Sequence, residues 1–372
     1  MKLLVISSAP FITKTDGIYA YSPYVKEMEI WRKNVEELLF CCPYWKTEGT
    51  LLITKIPFKI DAIYYLQEFN FTTIGNAFKA LPILVKDCIL LYKNIKKSDT
   101  IHLRCPGNIG LLACFIQILF PKKIKSAKYA GNWDVNVKQP LSYRLQKWIL
   151  SNTFLTKNMQ VLVYGEWKNS TKNIKPFFTA SYFEKDKVEV LPKNLNGKIS
   201  FVFVGTLSNG KQPLYAIHLI EQLHKNANNV QLTLYGEGKE RTIIENYISE
   251  NKLDNFIFLK GNQNQETIKK AYCENHFVIL PSLSEGWPKV VAEGMFWGCL
   301  PIATKVSCVP NMLENGKRGL LLDLILNQDV QSIESILKNN NLYQDKVIKS
   351  VQWSRQFTMD VFEEEIKLLL KS

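Results

Sequence analysis

The chain has 372 residues, 46% hydrophobic and 22% charged, which is ordinary for a soluble globular protein and enough for two domains of roughly 100–200 residues each. No uncharged apolar run reaches the roughly 18 residues of a membrane span, the apolar start is too short for a signal-peptide core, and the 8 cysteines include no Cys-x-x-Cys pair and no cluster with histidine, which argues against a metal or disulfide framework and for a reducing cytoplasm. The net charge of +13 is uneven: residues 1–190 hold 27 Lys and Arg against 15 Asp and Glu, so the first half should meet an anionic partner, whether phospholipid, a pyrophosphate-linked acceptor or nucleic acid.

Short apolar strands alternate with amphipathic helices, the pattern of a parallel α/β architecture. The first half predicts strands at 3–7, 38–42, 100–104, 125–130 and 160–164, with helices at 23–34, 73–96 and 141–151. A second series begins at Ser200, with strands at 201–205, 231–235, 255–259, 277–280 and 300–304 alternating with helices at 213–224, 240–250, 265–273 and 289–297. The stretch 191–199 is rich in turn formers and is the expected linker between an N-terminal domain, 1–192, and a C-terminal domain, 199–355. The last segment, 359–371, reads as a helix whose acidic start suits the helix dipole. Two Rossmann-like, doubly wound domains facing across a cleft follow, with ligands expected beyond the carboxyl ends of the strands.

The segment from Pro281 to Gly294 is the most informative. Ser282 and Glu285 have capping-box spacing, but a helix starting there would hold Pro288 in its interior, at a cost of about 3 kcal/mol. Proline is at home in the first turn, so the helix should begin near Pro288 and leave Glu285 in the preceding loop. Gly286 and Trp287 can then aim backbone N–H groups at an anion at the helix start, with Lys289 beside them. Glu293 lies deeper on the same helix, where its alternatives are an i,i+4 pair with Lys289 or the diol of a ribose. Upstream, a strand runs into Gly205, Thr206 and Lys211, a glycine-containing turn where phosphate can approach the backbone and a lysine can add charge. Further turns follow the next strands at Gly236, Glu237 and Gly238, and at Gly261 and Asn262.

These motifs resemble the donor half of glycosyltransferase family 4, of the GT-B fold. Its E-x(7)-E signature is matched by Glu285 and Glu293, and its V-G-x-L-x(3)-K pattern by Val204 to Lys211. The likeness covers residues 200–323 and extends to the terminal segment, which in such enzymes returns to the first domain, here about 356–372. It implies retaining transfer from a nucleotide-diphosphate sugar as co-substrate, with no cofactor and no metal. Lys211 would hold the diphosphate and Glu285 the sugar hydroxyls, both as catalytic residues. Gly286 and Trp287 would lend amides, and Glu293 would grip the ribose, with Gly205, Thr206, Glu237, Gly261, Asn262, Pro288 and Lys289 lining the donor site. The chain departs from the family at Thr206, where arginine is usual, and at Ser307 and Cys308, which replace a glycine pair.

In the first half, three segments carry turn residues plus a charge: Asp16 with Gly17, Arg104, and Asn132 with Trp133 and Asp134. Each reads equally as a plain turn. Together they are the expected acceptor side, and they resemble segments of bacterial surface-polysaccharide glycosyltransferases; the resemblance implies a glycan or lipid-pyrophosphate-linked acceptor, with Asp134 or Asn132 near the reacting sugar and Asp134 as a third catalytic residue. Lys79, Lys86 and Lys93 recur every seven residues on one helix face, either a solvated face or a dock for the anionic inner face of the cytoplasmic membrane. Two other functions stand beside glycosyl transfer. An epimerase or hydrolase would need a base among Asp16, Asp134 and His102, and a nucleic-acid binder would rest on pI ≈ 9.2 alone, with no recognised module.

Overall fold

A computed structural model of the protein describes residues 1–47, 52–69 and 74–371, without the side chains of 74–80. Expectations on Thr73 and on the Lys79 side chain therefore lie outside the described residues. The chain forms two compact units, Met1–Phe177 with the terminal segment from Phe362, and Phe178–Val361.

The first unit is built on parallel strands β1 (Lys2–Ile6), β4 (Glu37–Trp45), β6 (Ala62–Leu66), β7 (Thr100–Cys105), β8 (Ile124–Tyr129), β9 (Met159–Tyr164) and β10 (Ile174–Phe177), with a small arm of β2 (Phe11–Lys14), β3 (Gly17–Tyr21) and β5 (Ile53–Lys55). Its order is β10-β9-β8-β7-β1-β4 with β6 on β4, so the order reverses between β1 and β7. Helices α1 (Ser22–Lys33), α2 (Ile74–Lys97), α3 (Asn108–Ile116) and α4 (Leu141–Ser151) connect the strands. One sheet face packs Ile101, Leu103, Ala127 and Val161 against α2, α3 and α4.

The other face is polar where α1 crosses. Glu27 of α1 accepts hydrogen bonds from Arg104 of β7 at 2.7 Å and Lys128 of β8 at 3.1 Å. Burial pushes the Glu27 carboxyl up, but the two cations outweigh it and hold the group at about 2. Parallel strands buried on both faces normally read as unbroken hydrophobic runs, so these charges persist only because they are paired.

The second unit is a six-stranded parallel sheet of β11 (Ile199–Val204), β12 (Val230–Tyr235), β13 (Ile257–Leu259), β14 (Phe277–Leu280), β15 (Leu300–Thr304) and β16 (Leu320–Leu322), ordered β13-β12-β11-β14-β15-β16. Helices α5 (Pro213–Lys225), α6 (Arg241–Glu250), α7 (Gln265–Glu274), α8 (Lys289–Phe296), α9 (Val309–Met312), α10 (Leu326–Leu337) and α11 (Asn340–Ser354) connect and follow them. The order reverses between β11 and β14, so the loops leaving those two strands frame the crevice of a doubly wound sheet. The last helix, α12 (Met359–Lys371), ends in the first unit, where Phe362 packs on Phe177 at 5.3 Å and Glu365 pairs with Lys175 at 2.6 Å.

The strands and helices expected from periodicity are present within a few residues. The units, however, divide at 177/178 and 361/362 rather than at 192–199. Residues 178–198 make second-unit contacts: Ser181 bonds Glu293, Leu195 joins the core, and the Asn194 carbonyl meets His276 Nε2. Turn formers in 191–199 mark an irregular path over one unit, not a passage between two.

Candidate active site

Four loops leave the carboxyl ends of β11 to β14, and backbone bonds sew them together. Gly205 N–H donates to the Tyr235 carbonyl and Gly236 N–H to the Gly261 carbonyl, both at 2.9 Å. Leu207 N–H donates to Glu237 at 3.0 Å, and Leu283 N–H to Gly210 at 2.9 Å. Glycine is required for this packing. A Cβ on Gly236 would lie 1.9 Å from the Gly205 carbonyl oxygen, and one on Gly238 would lie 2.1 Å from that of Leu207.

The bond from Leu283 to Gly210 ties the two loops at the strand-order reversal. It brings Lys211 Nζ to 2.5 Å from Glu285 Oε1. The Glu285 side chain is 8% exposed and that of Lys211 32%, so the carboxylate is sheltered while the ammonium reaches solvent. Pro288 caps α8, which begins at Lys289, as its conformational limits require. The loop before it is anchored from behind. Thr304 Oγ1 donates to the Ser282 carbonyl at 2.5 Å, and Ser307 Oγ and Cys308 Sγ donate to the Gly286 carbonyl at 3.2 and 3.1 Å. Ser307 and Cys308 thus hold this loop.

Glu293, half-buried on α8, accepts from Ser181 Oγ at 2.5 Å and from the buried Tyr272 hydroxyl at 3.4 Å. The Trp287 ring is buried among Phe178, Trp353 and Phe357, so its indole packs and only its backbone faces the helix start. Thr206 and Asn262 are exposed, Gly205 and Gly261 line the sewn loops, and Glu237 pairs with Arg241. Lysine, two carboxylates and a helix N-terminus therefore gather at one edge of one sheet. Ser181 and Tyr272 could not be found from sequence, because no local pattern links them to α8.

The first-unit candidates scatter by role. Asp16 sits in the β2–β3 turn, taking a hydrogen bond from Tyr19 at 2.7 Å with Lys55 at 3.5 Å, and Gly17 adopts φ +148° beside it. Arg104 is committed to Glu27 and lies over the Tyr24 ring at 4.8 Å. Trp133 is buried edge-on against Tyr129 at 5.0 Å. Asn132 Oδ1 accepts from the Asp134 N–H, and Asp134 Oδ1 accepts from the Asn136 N–H, each at 2.9 Å. Asp134 opens on a cavity of about 540 Å³ with Arg144, Lys147 and Trp148. Burial pulls the Lys147 ammonium down to about 8, with its Nζ on the Asp134 carbonyl at 3.0 Å. His102 is wholly buried, bonded through Nδ1 to Ser126 at 2.8 Å and held near 3 by burial, which removes it as a base for an epimerase or hydrolase.

Residues 184–351 match the glycosyl transferases group 1 family. An uncharacterised 41.2 kDa protein in the cps region of Klebsiella pneumoniae is 22% identical over 299 residues, covering 76% of this chain and 80% of that one. The solved lipopolysaccharide outer core galactosyltransferase WaaB superimposes with a TM-score of 0.68 at 15% identity, covering 100% of this chain and 99% of that one. The Anabaena protein HepE, solved in complex with UDP and glucose, gives 0.66 at 15% identity, with 100% of both chains covered. Other structural matches are longer chains, of whose length this one spans 58% to 60%. The second unit thus carries a glycosyl transferases group 1 domain, in a chain that has the GT-B fold.

Proposed function

We propose that the protein is a retaining, metal-independent glycosyltransferase of family 4, moving a sugar from a nucleotide-diphosphate sugar to a glycan or lipid-pyrophosphate-linked acceptor in bacterial surface polysaccharide synthesis. The reading places that work on the inner face of the cytoplasmic membrane. The observation that carries it is the convergence of Lys211, Glu285 and the α8 N-terminus within the matched domain, where the sheet order reverses. The Klebsiella relative in a capsule region and the HepE complex with UDP and glucose support the pathway class and a uridine diphosphate donor.

In this reading the bond from sugar C1 to the β-phosphate oxygen breaks as the acceptor oxygen bonds C1 on the same face. The acceptor proton passes to the departing phosphate, so no strong side-chain base is needed. Charge grows on the diphosphate, where Lys211 and the N–H groups at Gly286, Trp287 and the start of α8 offset it. Glu285 takes the sugar hydroxyls and Glu293 the ribose diol. Asp134 and Asn132 are the acceptor-side residues. With Thr206 in place of arginine, the diphosphate depends the more on Lys211.

A thermal-shift screen against nucleoside diphosphates and their sugars tests the donor site. Stabilisation by uridine diphosphate compounds, lost in Lys211→Ala and Glu293→Ala, is expected. No stabilisation by any of them would remove the reading. NMR of the product's anomeric configuration tests retention.

A further inference from the structure

On the first unit, α2, α3 and α4 form one layer. Their inward side chains, among them Leu91, Ile95, Leu112 and Ile149, share a single core with one sheet face. The outward side is also apolar. Along α2, Leu81, Val85, Ile89 and Tyr92 are all exposed, at spacings of three and four residues that keep them on one stripe. Phe115 of α3 and Trp148 of α4 are exposed on the neighbouring helices. Scattered exposed leucines are common, but an aligned stripe extended by aromatic neighbours marks an interaction surface.

The charge on this layer has one sign. Lys86, Lys93, Lys96 and Lys97 of α2 and Arg144 of α4 are exposed. The single acidic residue in the three helices is Asp87, which is buried and accepts the Gln67 N–H at 3.2 Å. Lys93, Lys96 and Lys97 rim an apolar groove of about 800 Å³ floored by Ile89, Tyr92 and Ile116.

We infer that this outer face, centred on α2, docks on an anionic phospholipid bilayer. Aliphatic side chains and the Tyr92 ring enter the boundary between headgroups and acyl chains, while lysine stems lie along the apolar stripe and carry their ammonium groups to the phosphates. A second copy of the chain would set the lysine row against its own like charge. Nucleic acid would find aliphatic Leu81, Val85 and Ile89 where base stacking needs aromatic rings. The inference supplies the membrane side of the proposed acceptor reading, yet it rests on the first unit alone.

The test is co-sedimentation of the whole chain with phosphatidylcholine vesicles and with vesicles containing about 30% phosphatidylglycerol. Preferential binding to the anionic vesicles is expected. Replacing Lys93, Lys96 and Lys97 by Gln should lower the partition coefficient roughly 100-fold, at about 1 kcal/mol per basic residue. Leu81→Ser with Val85→Ser and Ile89→Ser should abolish most of the remaining binding with only a small drop in melting temperature, since these side chains are 50–62% exposed. Both variants should keep the thermal shift with uridine diphosphate, which separates a failure here from a failure of the donor site. Equal binding to both vesicle types, binding indifferent to both variants, tighter binding to an RNA or DNA oligonucleotide, or a dimer in light scattering that these variants dissolve would each overturn it.

Discussion

Ser181 donates its hydroxyl to Glu293 at 2.5 Å across 112 residues of chain, and the Tyr272 hydroxyl reaches the other carboxylate oxygen at 3.4 Å. Glu293 therefore presents oxygens already oriented from behind, each with lone pairs left for a ribose diol. Hydrogen bonds to a charged group are worth about 1.5–3 kcal/mol. Glu293→Ala should thus weaken binding of uridine diphosphate by on the order of 10–100-fold, measured by calorimetry. Ser181→Ala, which leaves the carboxylate but loosens it, should cost several-fold with little change in fold stability. A loss in Ser181→Ala as large as that in Glu293→Ala would overturn the supporting role given to Ser181.

The pair of Lys211 and Glu285 makes a second prediction. Glu285 is the sheltered partner, so removing the lysine leaves a carboxylate with one fewer cation, while removing the carboxylate frees a lysine that already reaches solvent. Lys211→Ala should lower the melting temperature more than Glu285→Gln does. In turnover it should lower kcat by about 10²–10³, the range for losing one charge-stabilising donor in a preorganised site. A kcat unchanged within a factor of two, with only KM raised, would confine Lys211 to ground-state binding.

Much of this site was legible because its chemistry is local. Glu285, Pro288 and Glu293 lie in one short run, and the stiffness of proline alone places the helix start. The strand ends were legible for the same reason, as apolar runs closed by glycine. Partners distant in sequence were not. Arg104 ends the strand expected at 100–104 like a ligand residue, but it lies within β7, and only the fold brings it Glu27 from 77 positions away. Trp287 is a candidate for its backbone N–H, and only the fold shows that its ring belongs to a cluster with Trp353 and Phe357. The run from Ile109 has no periodicity to read because α3 is apolar on nearly every side. The β2–β3 hairpin strands span four and five residues, too short for alternation to declare them.

The sewn loops yield a third prediction. Gly236→Ala would drive a methyl group onto the Gly205 carbonyl, a backbone atom that cannot swing aside. The two post-strand turns must then separate, taking the Gly205-to-Tyr235 and Gly236-to-Gly261 bonds with them. A loss above about 2 kcal/mol is expected in denaturant unfolding, with a parallel loss of nucleotide affinity. Gly210→Ala serves as the control, since a Cβ there meets open space.

Buried His102 sets the acid limit of the first unit. Burial first, and then the Arg104 and Lys128 charges, hold its folded pKa at about 3 against an ordinary value of 6.5, with Glu27 opposing them. Trp31 packs on the ring at a tilt of 38°, centroids 4.4 Å apart, and Ser126 holds Nδ1, so the groups around it are set by packing. Because the folded pKa is the lower one, the unfolded chain takes the proton first as pH falls. The stability this histidine permits is complete above about pH 6.5 and drops by about 1.4 kcal/mol per pH unit towards pH 3. Glu27 acts in a separate window: its depressed pKa of about 2 stabilises the fold above its ordinary 4.5, and that contribution fades only as pH falls from there towards 2. Unfolding free energies measured between pH 7 and pH 5 should therefore fall by about 2 kcal/mol from His102 alone. In His102→Asn, which keeps a group able to meet Ser126 but does not titrate, the slope over that interval should flatten, whereas Glu27→Gln should leave it unchanged. An unaltered slope in His102→Asn would show that His102 titrates alike in the folded and unfolded chain, so that burial beneath α1 does not depress it.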